Sequence, residues 1–437
     1  MDRPPEKPVQ LKAVRPRHLR AADAAAIAHL ATQATLGIAN MAEGVHQSVL
    51  GTLGASAGKA PAQTSGITGL VYSAVRGVTK LAGLGLETAL DKLQPLFDAA
   101  DHTAAESPQR EAVLAALNGV IGDRLAASGN PLATPMRLRR LPESAEIGET
   151  AVTGKILLLA HGLCMNDLQW KLAPPASAAQ SALSASSASP PSSPAPGHGT
   201  ALAQALGYTP VYLRYNTGLH TSQNGRELSR QLAQLVADWP VPVTELSVVA
   251  HSMGGLVVRS AVHCATEEQA AWLPHLKNIA FLGTPHHGAP LERAGNWVDV
   301  ILGSTPYSRP FGKLAQLRSA GITDLRFGHV LDDDWQGHDR FRKQPDARVP
   351  VPLPFPERVA SFTIAATLAS QRGALAERLL GDGLVPLPSA LGQHGEAHRT
   401  LAFHKDRQRI LYNTSHMALL NSPQVAQQLL AWFGKGD

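Results

Sequence analysis

From residue 136 onward, short continuous apolar runs alternate with stretches whose apolar positions recur at helical spacing. The run from Ile156 to Ala160 is apolar at every position, as in a strand buried on both faces. The same reading predicts strands at 136–139, 155–160, 210–215, 277–282, 359–366 and 400–403, and one through Leu246, Val248 and Val249. Helices are predicted at 200–206, at 224–239 with Leu228, Leu232 and Leu235 on one face, from Gly254 onward, and at 422–433. Strand–helix–strand alternation with turns at strand carboxyl ends predicts the α/β class with a doubly wound, mostly parallel sheet. Residues 289–357 break the rhythm.

The first 130 residues have a different texture. Residues 1–20 form a basic tail, read as disordered. Ile27, Leu30, Ala34, Ile38, Met41, Val45 and Val49 then recur at helical spacing, and Val71, Ala74, Val78 and Leu81 form a second stripe within 67–97. Ser107 and Pro108 suit the N-cap and first position of a third helix through Leu114, Leu117, Ile121 and Leu125, closed by Gly129, Asn130 and Pro131. The expected division is a helical region at 21–130 and an α/β domain at 131–437. Within that domain, residues 173–196 are almost all Ala, Ser and Pro and read as a disordered surface insertion.

One junction organises the α/β part. Ala250-His251-Ser252-Met253-Gly254 is a variant of the small-x-Ser-x-small nucleophile elbow. A serine on a sharp strand-to-helix turn needs small residues two before and two after, or backbones collide. The turn lifts the Ser252 hydroxyl out of the sheet and sets the Met253 amide at a helix N-terminus, which favours negative charge. Taken alone, the motif also fits a glycine-rich turn with an incidental serine.

Composition narrows the classes. The 437 residues are 44% hydrophobic and 17% charged with a net charge of +5, and the basic residues form no aromatic-studded patch, which argues against nucleic acid as a partner. No run is long and uncharged enough to span a bilayer, and no secretory signal is seen, so the cytoplasm is the expected location. Cys164 and Cys264 make no disulfide framework and read as packed thiols. The 67–97 helix has sparse charges, and two readings stand: packing against protein, or peripheral contact with a membrane or lipid surface.

Five segments together carry a resemblance. They are His161-Gly162-Leu163 after an early strand, the Ser252 elbow, Gly283-Thr284-Pro285-His286-His287-Gly288, Gly381-Asp382-Gly383-Leu384-Val385-Pro386, and Ser415-His416. Their order resembles α/β-hydrolase lipases and esterases, within the bacterial lipases similar to GPI inositol-deacylases, over residues 150–437. The resemblance implies an α/β-hydrolase fold with a cap at 289–345 and hydrolysis of a small-molecule ester or lipid. Ser252 becomes the nucleophile, His416 the base and Asp382 the orienting acid, with the amides of Leu163 and Met253 as the oxyanion hole. It makes 284–288 a loop under the site, and Trp297, Val298 and Ile301 candidates for an acyl pocket.

Rival residues have plainer readings. Asp332, Asp333 and Asp334 read as a solvated loop. His394, His398 and His404 compete with His416, which lies beyond the last expected strand and shortly before the closing helix. His251 reads as a packing residue, His161 as a brace of the oxyanion loop, and Gly162 and Gly254 as close-approach positions. Adjacent His286 and His287 on an extended segment point to opposite sides, so no metal and no cofactor are expected. A thioesterase, a polyester depolymerase or an acyltransferase would use the same triad. A rival of another class makes the N-terminal helices a lipid- or partner-binding module.

Overall fold

The computed structural model describes residues 108–140, 152–170, 196–289, 319–337, 353–373 and 381–435. The tail, both early helices, residues 173–195 of the Ala/Ser/Pro stretch, and Trp297, Val298 and Ile301 lie outside the described residues. Of the cap segment, only 289 and 319–337 are described. Among the described residues no helix is long and apolar enough to cross a membrane.

Among the described residues, seven strands form one sheet: β1 (Arg137–Arg139), β2 (Lys155–Ala160), β3 (Thr209–Arg214), β4 (Glu245–His251), β5 (Leu276–Leu282), β6 (Ala360–Ala366) and β7 (Gln408–Leu411). Their order is β1-β3-β2-β4-β5-β6-β7. Only β1 runs antiparallel to its neighbour; the other pairings are parallel. With helices on both faces, this is an α/β-hydrolase fold.

The continuous apolar runs have a direct cause. Ile156, Leu158, Ala160, Val248 and Ala250 face one buried cluster, which α3 (Thr221–Ala237) covers with Leu228 and Leu232, and α4 (Met253–Glu267) with Val257, Val258 and Ala261. Leu157, Leu159, Val249, Ala280 and Ile364 face the other, under α2 (His198–Leu206) and α6 (Pro423–Phe433). Alternate strand positions thus enter different cores, and polar residues have no exposed face to occupy.

The strand expected at 400–403 is not one. Leu401 N–H donates to Gly392 O at 2.8 Å and Phe403 N–H to Leu401 O at 2.9 Å, so this backbone serves a loop. Leu401 and Phe403 are buried in the first cluster, so their apolar pattern reports core packing. The seventh strand lies further on, at Gln408–Leu411, where polar side chains suit a sheet edge.

The compact unit that holds the sheet comprises Glu111–Gly129 and Ala133–Asp437. Helix α1 (Pro108–Ala127) therefore belongs with the sheet from Glu111 on, where Ala112, Ala115, Ala116, Leu117, Val120 and Leu125 are buried. An ionic junction ties it in. Arg214, at the end of β3, donates through Nη1 to Glu111 Oε2 at 2.6 Å and through Nε to Asp167 Oδ1. Arg139 of β1 donates to the other Asp167 oxygen at 3.0 Å. Arg214→Met removes the cation that faces two buried carboxylates, with an expected loss of about 3 kcal/mol. Urea unfolding checks this: the midpoint should fall with little change in slope.

Candidate active site

The carboxyl ends of β2, β4, β5 and β6 converge on one place because the strands pair in register. Ala160 lies opposite Ala250, and His251 opposite Leu282. Helix α4 begins one residue after β4 ends, and the residue between them is Ser252, with φ 54° and ψ −126°. A residue with a Cβ holds such a φ only under constraint. The constraint is visible in the backbone bonds: Ser252 N–H donates to Leu282 O at 2.9 Å, and Gly255 N–H to Ser252 O at 3.0 Å. Two residues on, a Cβ at Gly254 would lie 2.6 Å from His161 O and 2.7 Å from Ala160 O. Ala250, two before, fits fully buried.

The His416–Asp382 pair is also buried. His416 Nδ1 lies 2.7 Å from Asp382 Oδ2, and His416 N–H donates to Asp382 O at 3.0 Å. The other carboxylate oxygen accepts from the amides of Leu384 (3.0 Å) and Val385 (2.8 Å). A carboxylate only accepts, so Nδ1 is the donor in this pair. Both side chains border Gly283, where a Cβ would stand 3.2 Å from Asp382 Oδ2 and from His416 Cε1. Gly283 directly follows Leu282, the acceptor of the Ser252 amide.

His251 grips this pair from the elbow. Its Nε2 lies 3.1 Å from His416 O, and the two rings are 4.6 Å apart. Burial pushes His251 well below the usual histidine range, and the neighbouring His416 adds to this. His161 stacks on Tyr215 at 4.5 Å, and the Tyr215 hydroxyl donates to His161 O at 2.9 Å. Burial lowers His161 and His198 to about 4 each. Gly162 lies against Ser252: a Cβ on it would be 2.9 Å from that of the serine. Leu163 and Met253 are both buried, and burial pushes the Cys164 thiol up to about 12, which keeps it protonated.

Other residues singled out in the sequence have packing or hydrogen-bond partners of their own. His286 packs edge-on against Phe281 at 4.9 Å and near Phe403 at 5.3 Å; the ring nitrogen Nε2 of His287 is 3.0 Å from Gly392 O. Among the described residues, no group of three His, Cys, Asp or Glu is arranged to hold a metal ion. Asp332 accepts from Ser222 and Arg226, and Asp334 accepts from the amides of Val330 and Leu331. The sequence reading passed over Asp324, which is fully buried and meets His220 Nδ1 (3.1 Å), His329 Nδ1 (3.3 Å) and Thr221 N–H (2.7 Å). It also passed over Thr217, whose buried hydroxyl accepts from Cys164 N–H at 3.1 Å. Neither sits in a motif: Thr217 lies on the turn after β3, and Asp324 lies within the helix Ala320–Phe327.

A family model described as a domain of unknown function (DUF7379) matches residues 212–324, less than half of the chain. No curated protein matches. Among solved structures, the chain is similar to the mature form of Bacillus licheniformis lipase BlEst2, at 15% identity and TM-score 0.35, over 64% of this chain and 91% of that one. It is similar to a lipase-esterase related protein from Clostridium acetobutylicum (11%, TM-score 0.32, 68% and 98%) and to the RedJ thioesterase from the prodiginine biosynthetic pathway in Streptomyces coelicolor (15%, 0.33, 64% and 90%). Likenesses this distant say nothing of what this chain acts on. The fold assignment rests on its own strand order.

The buried histidines give the site an acid limit. His161 and His198 are held neutral in the folded chain, so their contribution to stability is complete above their unfolded value near 6.5. It falls as pH drops from about 6.5 towards about 4. Thermal midpoints taken across that range should decline with acidification, and less steeply in His198→Asn.

Proposed function

We propose that the chain is a serine hydrolase that cleaves carboxylic esters through an acyl-enzyme on Ser252. The observation that carries this reading is the juxtaposition at Gly283: the strained turn of Ser252 is bonded to Leu282, and the buried His416–Asp382 pair lies over the next residue. A serine hydroxyl is a weak nucleophile unless a base takes its proton. His416 Nε2, with Nδ1 committed to Asp382, is that base.

Ser252 Oγ attacks the acyl carbon as its proton passes to His416 Nε2. The carbonyl π electrons move to oxygen, and the resulting oxyanion accepts from the amides of Met253 and Leu163. Asp382 stabilises the imidazolium without taking the proton. Collapse expels the alcohol, protonated by His416, and leaves the acyl group on Ser252. Water, deprotonated by His416, then attacks the acyl-enzyme, and the acid departs as the serine regains its proton. His251 and His161, held neutral by burial, place no competing positive charge beside the imidazolium.

The motifs support a lipase-like branch similar to bacterial GPI inositol-deacylase-like lipases, acting on a lipid or other ester, with no cofactor in the chemistry. Trp297, Val298 and Ile301 remain the proposed acyl-pocket residues. Ser252→Ala is expected to abolish turnover of p-nitrophenyl esters from C2 to C16 while the protein stays folded. Asp382→Asn should lower kcat by about 10⁴-fold, because the imidazole loses its required tautomer. Normal turnover by folded Ser252→Ala protein would remove this reading. The best chain length in the wild-type series would separate an esterase from a lipase.

A further inference from the structure

The peptide unit that follows Leu163 is gripped from two sides by residues outside the triad. Cys164, the next residue, has φ 58°, a left-handed conformation that a residue with a Cβ keeps only when its surroundings hold it there. One hold is Thr217, on the turn after β3. Its Oγ1 accepts from Cys164 N–H at 3.1 Å and thereby fixes the plane of the Leu163–Cys164 peptide.

The other hold is α1. A Cβ at Gly119 would fall 2.1 Å from Cys164 Sγ and 2.9 Å from its Cα, so only glycine lets the helix seat at this depth. The helix is kinked just beyond, at Ile121, with φ −135° and ψ 17°. Carbonyls on both sides of the kink accept from other segments: Gly119 O from Ser319 Oγ at 2.6 Å, and Gly122 O from Asn216 Nδ2 at 2.8 Å. Ser319 caps α5 (Ala320–Phe327), and Ala320 N–H donates back to Asp123 of α1 at 3.1 Å. In α5, Gly321 lies against Thr217 O and near the Met253 methyl, at 1.9 and 3.0 Å from where its Cβ would stand. Contacts thus run without a break from α5 through α1 and the 216–218 turn to the peptide after Leu163.

The geometry points to Thr217 and Gly119 as positioning residues for the Leu163 amide, with α1 as the strut that holds that amide in place for the oxyanion. This rests on the serine-hydrolase reading above. Nothing in the site demands that a helix from residue 111 onward support the loop. Its small-residue approach to Cys164 and the strained φ there are what give it that duty.

The test uses the full chain with Thr217→Val, which keeps the shape and removes the acceptor, Thr217→Ser, which restores it, and Gly119→Ala. Ser252→Ala runs beside them, and near-ultraviolet circular dichroism checks the fold. Two quantities are read: kcat and KM on the best p-nitrophenyl ester, and calorimetric affinity for phenylboronic acid. The boron accepts Ser252 Oγ while His416 takes its proton, giving a tetrahedral boronate whose oxygen occupies the oxyanion position.

Thr217→Val should lower kcat about tenfold to a hundredfold with KM within about twofold, weaken the boronate by the same factor, and be rescued by Thr217→Ser. Folded Gly119→Ala should behave like Thr217→Val. Wild-type kcat and boronate affinity in Thr217→Val, with Ser252→Ala inactive, would overturn the strut and leave the serine reading standing. A lower melting point with unchanged kcat would likewise reduce Thr217 to packing. Full activity in Ser252→Ala would instead remove the serine reading, and the strut with it.

Discussion

Helix α4 starts within a single residue of the end of β4, and its first turn crosses the end of β2 with no room for a side chain at Gly254. That crossing forces Ser252 into its unusual backbone conformation and brings its amide onto Leu282 O. The rest follows from register. Because β2, β4, β5 and β6 are paired in parallel with their carboxyl ends aligned, the loops after them meet at one point. The loop after β2 delivers Gly162 and Leu163, the one after β5 delivers Gly283, and the Gly381–Val385 turn with residue 416 supplies the acid and imidazole. A shift of one residue in any of these pairings would turn the core-facing side chains to the wrong face and separate the groups.

Four buried imidazoles lie at or near the carboxyl ends of the central strands, and of these His416 meets a carboxylate. His161, His198 and His251 are buried and held neutral by the loss of water, whereas His416 alone among these faces Asp382. On the proposed mechanism, an imidazolium at His416 would meet no like charge from these three histidines.

Much of this was legible in the chain because the local and tertiary signals agree. The central strands are apolar at every position, since both faces are buried, and the elbow is set by three residues of chain geometry. The 400–403 stretch misled because Leu401 and Phe403 are buried side chains on a loop, and periodicity reports burial before it reports pairing. The place of α1 could not be read for a different reason. Its seating depends on Gly119 and Gly122 meeting Cys164 and Asn216, contacts that no local pattern encodes. Thr217, Asp324 and the Arg214 junction are likewise long-range pairings of ordinary polar residues. The segments with Trp297 and the early helices stay expectations of the sequence.

The Arg214 junction has a bearing on how the chain is made. Glu111 and Arg214 are 103 positions apart, and Asp167 lies between them on the turn after β2. In vectorial synthesis α1 leaves the ribosome well before β3 exists to receive it, with an acidic residue at its start and an apolar surface on nearly every side. At a usual pace of about 5–20 residues per second, it waits several seconds for its cation. The strut is thus the earliest made of the described helices, yet its ionic partner arrives only with the end of β3. During that interval its apolar surface is open to a chaperone or to a neighbouring nascent chain.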